Sequence, residues 1–147
     1  MTRYLLDTNV VLRFSNPLDA QHTLTTDAVS RLAEQGNECV LTAQVLIEFW
    51  VVATRPLDVN GLGWSMERVQ SNVAELLNGF SLLEDRSEVF PNWLELVSAN
   101  NIKGKRSHDI RLVAVMLSHN VDHLLTFNPD DFAIALPITI VHPQRLQ

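Results

Sequence analysis

The sequence of 147 residues holds one cysteine, one tyrosine and five glycines, and its 17 Asp and Glu outnumber its 11 Lys and Arg. A lone cysteine, Cys39, cannot form an internal disulfide or a cysteine-based zinc site. No apolar run reaches the roughly 18 residues of a membrane span. The nearest, from Cys39 to Thr54, is interrupted by Thr42, Gln44 and Glu48. Met1-Thr2-Arg3-Tyr4 lacks the long apolar run and small-residue cleavage site of a secretory leader. There is no phosphate-cradling glycine motif, no Ser-His-Asp arrangement, no internal repeat and no low-complexity tract. The formal net charge of −6 argues against broad electrostatic adhesion to nucleic acid or anionic membrane. It leaves room for a local basic patch and for binding through metal ions. These absences imply a soluble, cytoplasmic single domain spanning residues 1–147.

The apolar fraction, 46%, is that of a folded globular chain. Short apolar runs alternate with amphipathic stretches, which predicts an α/β domain with a mainly parallel sheet. Strands are expected at Tyr4-Leu5-Leu6, Cys39–Thr42, Ser81–Leu83, His123–Thr126 and Ile138–Val141. Helices are expected from Val10, over Thr26–Gln35 with Gly36 as its stop, Ala43–Thr54, Ser65–Asn78 closed by Gly79, and Trp93–Ala99. A last helix is expected to be capped by Ser107 and to run to His119, with Asn120 ending it. Asn60-Gly61-Leu62-Gly63 reads as a loop, and Lys103-Gly104-Lys105-Arg106 as a basic one.

Four acidic positions stand out from the solvated majority. Asp7 directly follows the first apolar strand, at the edge where ligands bind in open α/β sheets; it or Asn9 equally suits the cap of the next helix. Glu48 is the sole charge between Cys39 and Thr54, among Val45, Leu46, Ile47, Phe49, Trp50, Val51 and Val52. A helix apolar on nearly all sides is expected to be buried. A carboxylate there needs an Arg partner, a proton or a cation, unless it lies at an exposed helix edge. Asp109 lies in the first turn of its helix, where the macrodipole favours an acid, one turn before the core-facing Val113. Asn128-Pro129-Asp130-Asp131 follows another strand as Asp7 follows the first. If the parallel sheet gathers these groups, their mutual repulsion calls for a cation. Oxygen-only donors select hard ions such as Mg²⁺ or Mn²⁺, which assist phosphodiester hydrolysis.

Leu5-Leu6-Asp7-Thr8-Asn9-Val10 resembles the opening of PIN domains, including the VapC-like toxins of toxin–antitoxin pairs. The helix carrying Glu48, the segment His108-Asp109-Ile110-Arg111-Leu112-Val113-Ala114, and Leu124-Leu125-Thr126-Phe127-Asn128-Pro129-Asp130-Asp131-Phe132 resemble the later blocks in order. The resemblance covers nearly the whole chain. It implies a three-layer α/β/α fold with a short, mainly parallel central sheet, and a metal-dependent endoribonuclease. Asp7, Glu48 and Asp109 then take the three main acidic positions, with Asp7 and Asp109 on one Mg²⁺ or Mn²⁺ and Glu48 binding it or orienting water on it. Asn128 falls where many relatives have Asp, so it brings no charge, and Asp131 stands ready to replace the missing carboxylate. Thr8 and Thr126 match hydroxyl positions beside the acids. One bound divalent ion brings the formal charge to about −4 and two to about −2.

Lys103, Lys105 and Arg106 precede Asp109 and Arg111 follows it, which suits docking of a phosphate chain. The resemblance also implies an antitoxin partner that blocks the acidic site, and apolar surface on the Thr26–Gln35 and Ser65–Gly79 helices suits that antitoxin or a homodimer. Trp64, beside Gly61 and Gly63, is a candidate base-stacking platform, whereas Trp50 and Trp93 fit the core. His119 and His123 stand at i, i+4 without a third ligand, and His108 suits a supporting donor to Asp109. A phospho-acceptor receiver domain needs an acidic pair after the first strand, and a haloacid-dehalogenase-like phosphatase needs Asp at the position of Asn9; this chain has neither. The alternative within the same resemblance is a catalytically idle PIN-like module that binds RNA or protein.

Overall fold

The computed structural model describes residues 1–134 and 136–147. In chain order the elements are β1 (Arg3–Leu6), α1 (Thr8–Ser15), α2 (His22–Glu34), β2 (Glu38–Thr42), α3 (Ala43–Thr54), α4 (Met66–Gly79), β3 (Ser81–Leu83), α5 (Val89–Ala99), α6 (Arg106–Ser118), β4 (His123–Leu125) and β5 (Thr139–Val141), with short 3-10 turns between some of them. The strands form one sheet in the order β3-β2-β1-β4-β5, and every pairing is parallel. Leu5 pairs with Val40 on one side and Leu124 on the other. Successive strand residues face opposite sides of the sheet. Leu5 and Leu6 are both fully buried, so helices cover both faces, the arrangement that parallel pairing demands.

Strand order carries the functional consequence. From β1 the chain builds outward through β2 and β3, then returns to lay β4 on the other side of β1. The carboxyl ends of β1 and β4 therefore meet at the point where strand order reverses, the place where open α/β sheets bind ligands. The Asp7 amide donates to the Leu125 carbonyl at 3.0 Å, carrying the ladder one residue past β1.

Several boundaries differ from the sequence expectations. α1 starts at Thr8 rather than Val10 because the Asp7 carboxylate accepts from the Thr8 amide and caps the helix. α2 begins at His22, one turn before Thr26, and α5 begins at Val89 rather than Trp93. Pro91 lies in the first turn of α5, where no amide is needed. Ser107 is not a cap: α6 opens at Arg106, Lys105 holds the cap position without a side-chain bond, and Ser107 already lies inside the helix. Gly104, at φ 65, makes the entry turn. At the other end of α6, Asn120 adopts φ 56, with Asn120 N–H bonded to the Leu117 carbonyl and Val121 N–H to that of Met116. This is the Schellman closure that a left-handed residue after the helix permits.

α3 corrects a larger expectation. Only its Val45, Phe49 and Ala53 stripe is buried, while Ile47 and Val51 are 63% and 47% exposed. The helix lies on the outside of the sheet with an apolar outer face, so Glu48 stands at an edge rather than in the core. α2 has the opposite character. Its apolar Ala28, Val29 and Leu32 are buried, and its exposed face carries Asp27, Ser30, Arg31 and Glu34. It offers no apolar docking surface; exposed apolar side chains lie instead on α3, on α4 (Met66, Leu77) and on α5 (Phe90, Leu94). Among the described residues no helix is long and apolar enough to cross a membrane.

Candidate active site

Asp7 is held from three directions. Its Oδ1 accepts from the Thr8 amide at 2.8 Å, and its Oδ2 accepts from the Thr126 hydroxyl at 2.8 Å and from Asn9 Nδ2 at 3.3 Å. Asn9 also donates to Thr126 Oγ1 at 3.2 Å and accepts from the Phe127 amide at 3.0 Å. It therefore acts as a clamp between the ends of β1 and β4 rather than as a helix cap. With Asp7 only 8% exposed, burial pushes its carboxyl pKa up. The bonds from Thr126 and Thr8 oppose that rise, and the charges of Glu48 and Asp131 add to it.

Glu48 reaches the same edge from α3. Thr8 Oγ1 donates to its Oε2 at 2.9 Å, and Gln44 Nε2, one helical turn earlier, donates to its Oε1 at 2.9 Å. Gln44 is itself fixed: its Nε2 also donates to the His108 carbonyl at 2.8 Å, and its Oε1 accepts from Arg111 Nη1 at 3.1 Å. Arg111 is further tied to Asp85 at 3.3 Å. Sequence reasoning did not select Gln44. Its spacing from Glu48 was the available signal, but its link to α6 depends on how the helices pack.

Asp109 projects from the first turn of α6, and its carboxyl is pushed up to about 6. Burial is the main cause, followed by the charges of Asp7, Asp131 and Glu48, with Lys105 pulling the other way. The charges of Glu48 and Asp131 therefore act on both Asp7 and Asp109. Asn128 differs: it is exposed, its amide donates to Thr126 Oγ1 at 3.1 Å, and its side chain makes no hydrogen bond to the acids among the described residues. Thr8, Glu48, Lys105, His108 and Asp109 line a groove of about 360 Å³, walled by Ile47, Val51 and Val52. Arg55, which the sequence did not single out, also lines it. Its carbonyl accepts from Gly63 N–H at 2.9 Å, and any side chain at Gly61 would collide with that carbonyl. Lys103 and Arg106 are exposed and lie outside the groove lining.

None of the four acids forms a salt bridge among the described residues. Nor do any three His, Cys, Asp or Glu side chains there make a ready set of ligands for one ion. Even so, the donor chemistry suits a hard divalent cation. The donors are all oxygen, the carboxylates repel one another, and such ions, Mg²⁺ above all, retain water in part of their shell. The other sequence candidates lie elsewhere. His119 Nε2 pairs with the Glu84 carbonyl at 2.7 Å, and His123 Nδ1 with Asp122 at 2.7 Å. Trp64 is no open platform, because Phe49 packs on it edge-to-face at 6.2 Å and the Arg68 guanidinium covers its ring at 3.8 Å.

The family model for the PIN domain matches residues 4–135. The chain belongs to the PIN-domain family. Its fold is similar to that of VapBC2 from Rickettsia felis, solved with a promoter DNA fragment (TM-score 0.73, 18% identity, 96% of this chain and 98% of the other). It is also similar to VapBC-1 from nontypeable Haemophilus influenzae (TM-score 0.69, 15% identity, 97% and 98%). A third similar structure is Mycobacterium tuberculosis VapC20, described as a Sarcin-Ricin loop cleaving toxin (TM-score 0.64, 18% identity, 90% and 95%). No curated protein sequence matches the chain.

Proposed function

We propose that residues 1–147 form a single divalent-metal-dependent endoribonuclease domain that hydrolyses RNA phosphodiester bonds, and that the chain is the toxin of a type II toxin–antitoxin pair acting in the cytoplasm. The observation that carries this reading is the gathering of Asp7, Glu48, Asp109 and Asp131 at the β1–β4 edge with no basic side chain paired to them. Membership of the PIN-domain family and likeness to VapBC complexes support it.

Asp7 and Asp109 would hold Mg²⁺ or Mn²⁺, Glu48 would complete its shell directly or through water, and Asp131, rather than Asn128, would add the fourth carboxylate. When bound, the ion lowers the pKa of water and offsets charge developing on the phosphoryl group. The protein's own groups do the rest. Thr126 and Asn9 keep the Asp7 carboxylate in one orientation, and Thr8 and Gln44 do the same for Glu48. Lys105 and Arg55 place positive charge along the groove, where a phosphate chain docks. Lys103 and Arg106 extend that charge at longer range. A cognate antitoxin and a second copy of the chain are the partners of this reading, received on the exposed apolar residues of α3 and α4.

The test is Mn²⁺ titration followed by incubation with total RNA. The unmodified protein is expected to cleave, a chelator to stop it, and Asp7→Asn to abolish cleavage while leaving the circular dichroism spectrum unchanged. Cleavage by Asp7→Asn at the unmodified rate defeats the assignment. Mn²⁺ binding without cleavage of any RNA turns the reading toward a binding module.

A further inference from the structure

A second cavity, of about 410 Å³, opens between α5 and the start of α6. Its aromatic wall is Phe90 and Trp93, stacked with ring centroids 5.6 Å apart and planes inclined by 28°. Trp93 Nε1 donates to the Ser107 carbonyl at 2.7 Å, which locks the indole against α6 and leaves it no free polar edge. Phe90 is 64% exposed, so its ring is not used by the core. Arg86 and Arg111 also line the cavity, with Asp85 the single acid there. Arg86 is anchored by donating to the Ser118 carbonyl at 2.7 Å.

This cavity is coupled to the acidic groove. His108 lines both. Arg111 reaches out of it to Gln44, which in turn holds Glu48. The aromatic hollow and the acidic groove are therefore neighbours that share the His108 wall. Single-stranded nucleic acid is bound by such a combination: an aromatic face that stacks a base, and guanidinium groups that meet base edges or phosphates. Arg86 also meets Glu84 at 3.9 Å and Arg111 meets Asp85 at 3.3 Å, so the rim sets two guanidinium groups beside acids.

We propose that the Phe90–Trp93 cavity is a subsite for one nucleobase of the RNA, next to the bond that is cut, with Phe90 as its stacking surface and Arg86 and Arg111 at its polar rim. The proposal rests on the nuclease reading and adds a substrate contact to it.

The test uses a short unstructured RNA of mixed sequence, prepared intact and with single abasic positions, bound to the Asp7→Asn protein with and without Phe90→Ala. One abasic position is expected to weaken binding on the order of tenfold when Phe90 is present and to have no effect when it is absent. In the cleaving protein, Phe90→Ala raises KM with little change in kcat, and Phe90→Tyr restores KM. Equal abasic penalties with and without Phe90, or an unchanged KM, overturn the subsite while the nuclease reading survives. Loss of self-association with RNA binding unaltered also overturns it and assigns this face to a protein contact. If the unmodified protein neither binds nor cleaves RNA with Mn²⁺, the nuclease reading falls and the subsite falls with it.

Discussion

The Thr126 hydroxyl donates to Asp7 Oδ2 at 2.8 Å, joining residues 119 positions apart. The contact exists because β1 and β4 are neighbours in the sheet and end at the same level. Thr126 is fully buried and also accepts from the Asn128 amide. Thr126→Val removes both the donor and the acceptor. The expected loss is about 1–3 kcal/mol of stability in urea denaturation, with Thr126→Ser recovering most of it.

Gln44 is the hinge between α6 and the Glu48 carboxylate. Supporting groups of this kind typically change metal affinity by about 10- to 100-fold when removed. Gln44→Ala is therefore expected to weaken Mn²⁺ binding in a calorimetric titration by at least several-fold without lowering the melting temperature much. Gln44→Glu is expected to weaken it differently with pH, since it sets a second carboxylate beside Glu48.

The raised pKa of Asp109 makes a signed prediction for the metal-free protein. Its folded value of about 6 lies above the ordinary 3.8, so between those values the folded state holds more proton than the unfolded one. The contribution of this group to stability therefore falls as pH rises through that window. In chelator, Asp109→Asn should melt close to the unmodified protein near pH 4 and above it at pH 7. Added Mg²⁺ should narrow the difference at pH 7.

Cys39 is 8% exposed in β2, and burial, helped by the nearby Glu38 charge, pushes its thiol up to about 12. A thiol so protonated and enclosed is inert. A maleimide is expected to leave it unmodified in the native protein at pH 7 and to label it once denaturant is added, read by intact mass.

Much of the architecture was legible because it is local. Alternating apolar runs and amphipathic stretches marked the five strands and the intervening helices, and Gly36 and Asn120 marked two helix ends through their left-handed conformations. Helix starts were less legible. The opening of α6 uses a backbone turn at Gly104 instead of a side-chain cap, and the first turns of α2 and α5 lack an apolar period. The exposure of α3 was not legible, because an apolar residue reports its own preference, not whether a neighbour covers it. Ile47 and Val51 look like core residues in sequence and stand exposed in the fold.

Asp7, Glu48 and Asp109 could be picked out from sequence, since each breaks the local pattern of its own segment: an acid after a strand, inside an apolar helix, or at the mouth of a buried face. Much of what gives those acids their chemistry came from tertiary structure. Strand order sets Thr126 against Asp7, helix packing ties Gln44 to Arg111 and the His108 carbonyl, and the 3-10 turn after β4 brings the Asp131 charge within reach of Asp7 and Asp109. The reason is physical. Secondary structure follows from short-range propensity and periodicity, whereas the field at a carboxylate and long-range donors such as Thr126 on Asp7 and Thr8 on Glu48 depend on groups that only the closed sheet and packed helices bring close.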